Sequence, residues 1–275
     1  MEKKYKLTEE SINFLDRTLY RIEALKDFAD IKKGDKGGYV QSEANLSQEG
    51  DCWVYNNAKV YDSAYICGDA IVINSAKVFD NAKVFDNVKV CDNAKVFGDA
   101  RICDNAMVYE NAIICDNALV YDNAVVCGNA QVCGDAKVYD YARVCHNAKV
   151  YDNTCVFGKA QVYGDAKVYE NAQVYGSAEV YGNAEVYNNA EVFGNTLVDN
   201  NAKVYGDAKV CDNATVYCDA QVYDNALVYG HAKVSGNAQV SGNAEIKDDS
   251  DYIIFKNWWS NGGYFTWTKN KTCGK

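Results

Sequence analysis

The stretch Ala82-Lys83-Val84-Phe85-Asp86-Asn87 is one copy of a six-residue repeat that decides the fold. From Val54 to Ile246 an aliphatic residue occupies every sixth position, which makes 33 uninterrupted copies. A small residue, usually alanine, stands two places before each aliphatic residue. The departures from this rule are Val88, Thr154 and Thr196. A fixed short period is typical of stacked repeat folds, in which each unit buries its face against its neighbours.

Within one repeat the first four residues alternate, so Ala82 and Val84 face one side of a strand and Lys83 and Phe85 the other. The last two positions hold mostly Asp, Asn and Gly, which tolerate the positive φ of a tight turn. A helix is excluded because a six-residue period would spread the valines around its circumference. The period therefore predicts an all-β solenoid. With three repeats per coil it would be a triangular prism of about 18 residues per coil and roughly 50 Å in length.

Neither the handedness nor the number of sides follows from the period alone, but the repeat resembles a known pattern. The segment Val84-Phe85-Asp86-Asn87-Val88-Lys89 is similar to the repeat of hexapeptide proteins that form a single-stranded left-handed parallel β-helix. The motif Asn-Ala-x-Val, followed by Tyr or Phe and then Gly or Asp, more closely resembles bacterial and phage-borne β-helix proteins that are often called acyltransferases. Three N-terminal segments resemble the start of those proteins: Thr18–Ile22, Gly34–Tyr39 and Asn45–Ser47. The resemblance implies a left-handed coil, and it implies acyl transfer only through the fold, which does not fix an activity.

The sequence predicts three regions: an N-terminal cap over residues 1–37, the β-helix over 38–247 and an aromatic C-terminal cap hairpin over 248–275. Caps are expected because an open solenoid end exposes apolar surface and unpaired strand edges. Between Leu46 and Val54 the aliphatic step lengthens from six residues to eight, which predicts a bulged corner around Glu49-Gly50.

The two ends of the chain break the period. Thr8–Ser11 could begin a short helix, whereas Leu19–Leu25 alternates like a strand. Near the C-terminus, Tyr252–Thr268 is typical of a hairpin whose turn is Asn261-Gly262-Gly263 and whose aromatic residues cover the last coil.

Composition narrows the class of protein. A net charge of −10 disfavours direct nucleic-acid binding, because no basic stripe offsets phosphate repulsion. The first residues contain no apolar leader, and no run is long enough to span a bilayer, so we expect a cytoplasmic protein. Its 12 cysteines are then expected to be reduced thiols. The 18-residue spacing makes neighbours of Cys115 and Cys133, and of Cys127 and Cys145.

Four asparagines spaced 18 residues apart are expected to stack at one corner and to form hydrogen bonds from coil to coil. They are Asn93, Asn111, Asn129 and Asn147.

Two columns of outward aromatic residues follow from the same 18-residue spacing. The first is Tyr151, Tyr169, Tyr187, Tyr205 and Tyr223, and the second is Tyr121, Tyr139, Phe157, Tyr175 and Phe193. Stacked rings stabilise a parallel ladder, and they also form a flat surface for subunit association or for planar ligands. An apolar ring around one coil is predicted at four outward positions that are mostly polar elsewhere: Met107, Ile113, Leu119 and Val125. Such patches mark interaction sites or arise by drift in a tolerant repeat.

Catalytic residues are harder to find. His146 and His231, the only histidines, both fall at turn positions, on different corners and without a neighbouring insertion. They are weak candidates for the general base that the family resemblance implies, and substitution at a tolerant turn explains them as well. Two histidines and no paired Cys-x-x-Cys motifs argue against a zinc site, and the sequence predicts no cofactor.

Three functions remain open. The preferred hypothesis is a non-enzymatic binding or scaffold protein that uses its aromatic columns for self-association, as a dimer or trimer, or for a protein or small planar partner. The second is a hexapeptide acyltransferase-like enzyme. The third is a phage counter-defence protein that mimics nucleic acid or sequesters a nucleotide.

Overall fold

A computed structural model describes residues 2–256 and 264–268 of the chain. It confirms the predicted all-β solenoid with a repeat of 18 residues, since each short strand pairs in parallel with the strand 18 residues away. The chain forms two compact units, Met1–Asp140 and Tyr141–Lys275. The described residues include two 3-10 turns, Glu43–Asn45 and Asp249–Asp251, and no helix long and apolar enough to cross a membrane. The left-handed sense of the coil stays a prediction.

The first unit contains three sheets, here named A, B and C, which form the three sides of its coils. Sheet A begins with the N-terminal hairpin and continues in parallel strands of two residues. Sheet A consists of Tyr5–Phe14, Arg17–Ala24, Lys36–Val40, Lys59–Val60, Lys77–Val78, Lys95–Val96, Ile113–Ile114 and Gln131–Val132. Sheet B consists of Tyr65–Ile66, Lys83–Val84, Arg101–Ile102, Leu119–Val120 and Lys137–Val138. Sheet C consists of Trp53–Val54, Ile71–Val72, Lys89–Val90, Met107–Val108 and Val125–Val126.

The parallel strands of the second unit likewise fall into three groups, one on each side of its coils, and these groups are named sheets D, E and F. Sheet D consists of Lys149–Val150, Lys167–Val168, Glu185–Val186, Lys203–Val204, Gln221–Val222 and Gln239–Val240. Sheet E consists of Cys155–Val156, Gln173–Val174, Glu191–Val192, Lys209–Val210, Leu227–Val228 and Glu245–Ile246. Sheet F consists of Arg143–Val144, Gln161–Val162, Glu179–Val180, Leu197–Val198, Thr215–Val216 and Lys233–Val234. An antiparallel pair, Tyr252–Lys256 and Tyr264–Thr268, follows them.

The corners form as the turn residues require. Asp86 has φ of 59° and Gly98 has φ of 70°, both in the left-handed region that Asp, Asn and Gly enter most easily. Asparagine side chains then bond from coil to coil, as in Asn93 to Asn111 at 3.3 Å and Asn111 to Asn129 at 3.1 Å. These two contacts confirm the predicted stack for its first three members, all in the first unit. The fourth, Asn147, belongs to the second unit.

The interior of each unit is filled by valine and alanine with no solvent exposure. The three departures from alanine fit this core. Val88 is fully buried, and so are Thr154 and Thr196. The hydroxyl of Thr154 donates to the carbonyl of Tyr151 at 2.7 Å, and the hydroxyl of Thr196 donates to that of Phe193. Each threonine therefore satisfies its buried hydroxyl within its own turn.

The N-terminal segment is a β-hairpin, so the expected short helix at Thr8–Ser11 is wrong. Tyr5–Phe14 pairs antiparallel with Arg17–Ala24, and Tyr39 pairs in parallel with Lys59. The helix fails because the extended chain here gains a full strand of backbone bonds to its partner, which outweighs a local helical preference. The alternating pattern of Leu19–Leu25 correctly predicted a strand, which spans Arg17–Ala24.

A buried lysine, Lys4, stabilises the corner between Leu46 and Val54, where the aliphatic spacing is eight residues. The Lys4 ammonium donates to the carbonyl oxygens of Glu49 at 3.2 Å, Gly50 at 3.0 Å and Cys52 at 3.0 Å. Gly50 has φ of 66°, which confirms an irregular corner at this point.

At the C-terminal end, the hydroxyl of Tyr252 donates to the carbonyl of Lys233 at 2.7 Å. The backbone N–H of Gln239 donates to Thr266 Oγ1 at 2.6 Å. Trp267 is 59% exposed, so this tryptophan does not cover the last coil as expected; its side chain lies on the outward-facing side of the hairpin. Trp258, Trp259 and the predicted turn Asn261-Gly262-Gly263 lie outside the described residues. The predicted boundaries 1–37, 38–247 and 248–275 stay predictions.

Candidate functional site

A column of five stacked aromatic rings lies on sheet D of the second unit. It contains all five tyrosines predicted for the first column: Tyr151, Tyr169, Tyr187, Tyr205 and Tyr223. Successive ring centroids are 4.9–5.1 Å apart, and successive ring planes differ by only 3–6°. The strand spacing of a parallel ladder imposes this distance, so the register of the solenoid alone aligns the rings. Each tyrosine is half-buried.

Charged side chains run beside this column. Glu185 accepts hydrogen bonds from Lys167 at 3.0 Å and Lys203 at 3.2 Å, so one carboxylate joins three coils. Burial, followed by the charges of Tyr205 and Glu185, raises the pKa of Tyr187 to about 12. The column therefore presents neutral phenols whose ring faces cover one another and whose edges point outward.

The second predicted column divides between the two units. Tyr121 stacks on Tyr139 at 4.9 Å in the first unit. In the second unit, Tyr175 lies 4.8 Å from Phe157 and 4.8 Å from Phe193. The hydroxyl of Tyr175 donates to Glu191 at 3.1 Å, and burial together with this hydrogen bond raises its pKa to about 12.

Two further columns were missed by the sequence analysis. Tyr61, Phe79 and Phe97 stack at 5.1 and 4.9 Å in the first unit. Tyr163 and Tyr181 stack at 4.9 Å in the second unit. The same 18-residue spacing would have found both, but they are short because a cysteine follows Phe97 and an aspartate follows Tyr181 in register.

The four residues of the predicted apolar ring occupy outward positions on all three sheets of the first unit. Met107 and Val125 are register partners on sheet C, while Ile113 lies on sheet A and Leu119 on sheet B. Met107 is 41% exposed, and the other three are half-buried. The four side chains of the apolar ring therefore lie at outward positions, and their solvent exposure is modest.

The two histidines occupy turns, as predicted, but their surroundings differ. His146 has φ of 60° and its imidazole centroid lies 6.2 Å from the ring of Tyr163. It lines a hollow of about 260 Å³ on the second unit, together with Arg143, Cys145, Gln161 and Tyr163. His231 is exposed at a different corner. His146 therefore lies beside a concavity of the second unit.

The expectation that every cysteine is a free thiol is wrong at one pair. Cys115 and Cys133, predicted to be neighbours, form a disulfide with a Cα–Cα distance of 4.7 Å. Parallel in-register strands bring the two side chains together, and the sequence argument had considered only the redox state of the compartment. Cys91 and Cys103 are among the described cysteines that form no disulfide.

Two groups of side chains in the described residues have the spacing of metal ligands. One is Asp86, Cys103 and Asp104, and the other is Cys115, Asp116 and Cys133. Two members of the second group are joined by the disulfide, so their sulfurs are not thiolate ligands. In the first group, Asp104 accepts a hydrogen bond from the thiol of Cys103, and burial together with this bond raises the pKa of the thiol to about 12. The thiol of Cys103 would therefore have to release its proton before it could bind a metal.

Comparison with known proteins shows what parts of the repeat are similar to. The model of the YdcK β-solenoid repeat matches residues 100–115, 112–128, 160–176 and 220–236. These segments are similar to that repeat and cover less than half of the chain. The matched YdcK segments contain the apolar ring and Tyr169, whereas His146 lies outside them.

A curated relative is similar over a short region. It is the uncharacterized acetyltransferase YdcK of Escherichia coli (strain K12), 39% identical over 71 residues. The match spans 22% of this chain and 22% of the length of that YdcK protein. The similarity to this YdcK protein is therefore limited to about a fifth of either chain.

Proposed function

We propose that this protein is a binding solenoid that associates with further copies of itself through the tyrosine column of sheet D. The five-ring stack from Tyr151 to Tyr223 carries this proposal. It gives the second unit a flat strip of half-exposed phenol edges, with a regular spacing that another copy of the same strip can match.

The arrangement of the rings decides the kind of partner. Successive ring planes are nearly parallel and within stacking distance, so a planar ligand has no free ring face on which to stack along the column. Ring edges and hydroxyls are what the strip offers, and these suit a broad, flat protein surface. The apolar ring at Met107, Ile113, Leu119 and Val125 adds a second area whose burial would be favourable. A stable interface of standard size buries about 800 Å² per partner.

Light scattering at micromolar concentration tests this proposal. We expect a dimer or trimer for the parent chain. Tyr187→Glu should shift it to monomer, because a buried carboxylate would then lie at the centre of the interface. Tyr217→Glu is the matched control, since Tyr217 is half-buried on sheet F and lies outside the five-ring column. A 30.4 kDa monomer for the parent chain, or an oligomer that survives Tyr187→Glu, would contradict the proposal.

The hollow beside His146 favours acyl transfer as a second candidate function. It is lined by the groups that such a reaction needs: an imidazole to take a proton from an acceptor hydroxyl or amine, and the cation of Arg143 to attract an acidic acyl carrier. The name of the E. coli relative supports the same chemistry.

Calorimetry with acetyl-CoA, followed by a turnover assay with small amine and alcohol acceptors, tests the second candidate. Saturable binding with turnover that His146→Ala abolishes and His231→Ala preserves would support it. Absence of binding at millimolar ligand would exclude it.

A further inference from the structure

A column of three lysines stands on sheet A of the first unit. Lys77 is the register partner of Lys59 on one side and of Lys95 on the other. All three side chains point outward, and the rings of Tyr61, Phe79 and Phe97 form the stacked column beside them. Like charges on directly opposed positions of adjacent strands repel each other.

No carboxylate of the described chain relieves this repulsion. Neither Lys77 nor Lys95 forms an ion pair within residues 2–256 and 264–268, and the ammonium of Lys59 donates to the carbonyl of Asn57 at 2.9 Å. The second unit shows the contrasting arrangement, because Glu185 lies between Lys167 and Lys203 and bonds to both. Sheet A therefore carries a lysine, Lys77, at the register position where sheet D carries the bridging Glu185.

The N-terminal hairpin holds the first two lysines in place. The Nζ atoms of Lys59 and Lys77 each lie 5.3 Å from the ring centroid of Phe14. Burial, and then the neighbouring charge of Lys77, lowers the pKa of Lys59. A cation held over an aromatic ring keeps its position without a carboxylate, which leaves its remaining donors available.

An open polar hollow of about 520 Å³ lies at the corner of the first unit that precedes Lys59 and Lys77, and its lining includes Asn57 and Ser75, two residues before each lysine. Its lining includes Arg21, which donates to Glu10 at 2.6 Å, and Lys36, which donates to the same carboxylate at 2.8 Å. The side chains of Asn57 and Ser75 also line it, and neither makes a hydrogen bond within the described residues. The hollow thus adds neutral donors next to the lysines.

We propose that the lysine column Lys59, Lys77 and Lys95, with the adjoining hollow, binds an acidic peptide segment of a partner protein. Carboxylates of the peptide would bind the lysine ammonium groups from the solvent side, because the register position equivalent to Glu185 is itself a lysine, Lys77. The amide of Asn57 and the hydroxyl of Ser75 would bond the peptide backbone. The site lies on the first unit and is independent of the tyrosine column proposed for self-association.

The surroundings favour a peptide over a nucleic acid. The rings beside the lysines are stacked on one another, so nucleobases find no open aromatic face.

Fluorescence anisotropy with a labelled deca-glutamate peptide at low salt tests the proposal. We expect saturable binding that weakens with added salt. The double variant Lys77→Glu/Lys95→Glu should bind about tenfold more weakly, since two favourable ion pairs become repulsions. Lys149→Glu, an exposed lysine on sheet D, is the control for a change of net charge and should bind like the parent.

A second pair of substitutions and a check of the fold separate loss of binding from loss of structure. Lys77→Gln/Lys95→Gln, which removes the charges without reversing them, should also weaken binding, and circular dichroism confirms that each variant keeps its strands. No saturable binding of the peptide, equal loss in Lys149→Glu, or tighter binding of a single-stranded oligothymidylate than of the peptide would each overturn the proposal. Light scattering on the same variants reports separately on self-association.

Discussion

The Nζ atom of Lys4 lies 3.0 Å from the carbonyl oxygen of Cys52, and the lysine is only 1% exposed. The same ammonium bonds the carbonyls of Glu49 and Gly50, so three backbone acceptors of an irregular corner depend on one side chain. It also lies 5.2 Å from the centroid of the Phe28 ring, which covers its open side. A buried cation with this many acceptors is a structural element of the N-terminal end.

We predict that Lys4→Met destabilises the protein by about 2–5 kcal/mol, because three buried carbonyls lose their donor while the apolar volume is kept. Thermal and urea unfolding measure this effect. Lys3→Met is the control: Lys3 forms an exposed ion pair with Glu43, so its loss should change stability by less than about 1 kcal/mol. Equal stability of the two variants would contradict the structural role of Lys4.

The sequence predicts the body of the fold well because each hexapeptide specifies its own strand and turn. Val84 and Asp86 need only local alternation and a tolerated positive φ, and the 18-residue register then follows from stacking. The sequence does not reveal contacts between segments that lack the period. Nothing in the neighbours of Lys4 shows that its ammonium would meet the corner at Gly50. The helix predicted at Thr8–Ser11 was wrong for the same reason, because the strand there depends on pairing with Arg17–Ala24.

The candidate site was predicted in part. The spacing placed Tyr169, Tyr187 and Tyr205 in one column, because columns depend only on the register. It could not show that His146 borders a hollow, since the hollow is formed by side chains of two neighbouring coils. The disulfide between Cys115 and Cys133 was missed although the proximity of the two residues was predicted, because proximity alone does not fix the redox state.

Replacing Val168 by Asp should cost several kcal/mol, because Val168 is fully buried among valine and alanine and a carboxylate there has no partner. The damage should centre on neighbouring coils, since a solenoid is stabilised by contacts between adjacent repeats. The outward Gln173→Asp is the control on a nearby strand. The melting temperature tests whether Val168 is buried. A change of only a degree or two for Val168→Asp would mean that this side chain is not in the interior.

Reduction of the Cys115–Cys133 disulfide should lower the free energy of unfolding by about 3 kcal/mol, because it releases a closed loop in the unfolded chain. The loop spans a sequence separation of 18 residues. Melting with and without a phosphine reductant measures the difference, and Cys115→Ser should abolish it. Cys103→Ser, which removes a free thiol, should preserve it. Mass spectrometry of the unreduced protein that finds both thiols free would show that the bond does not form.

Stability should also fall at alkaline pH. Burial, aided by hydrogen bonds to Glu191 and Asp199, raises the pKa of Tyr175 and Tyr181 to about 12, and burial and neighbouring charges do the same for Tyr187. In the unfolded chain these phenols ionise near pH 10. Above that pH the unfolded state therefore binds fewer protons than the folded state, so the free energy of unfolding decreases as pH rises from about 10 to about 12.

Tyrosinate absorbance and circular dichroism, followed together through the titration, measure this dependence. We expect most of the stacked tyrosines to ionise late and in step with the loss of strand signal. Tyr175→Phe keeps the ring stack but removes one phenol, so it should lose less stability over the same pH range than the parent. If the tyrosines of the folded protein titrated near pH 10 while the strand signal stayed constant, the columns would be solvated in solution, and the packing described for sheets D, E and F would be wrong.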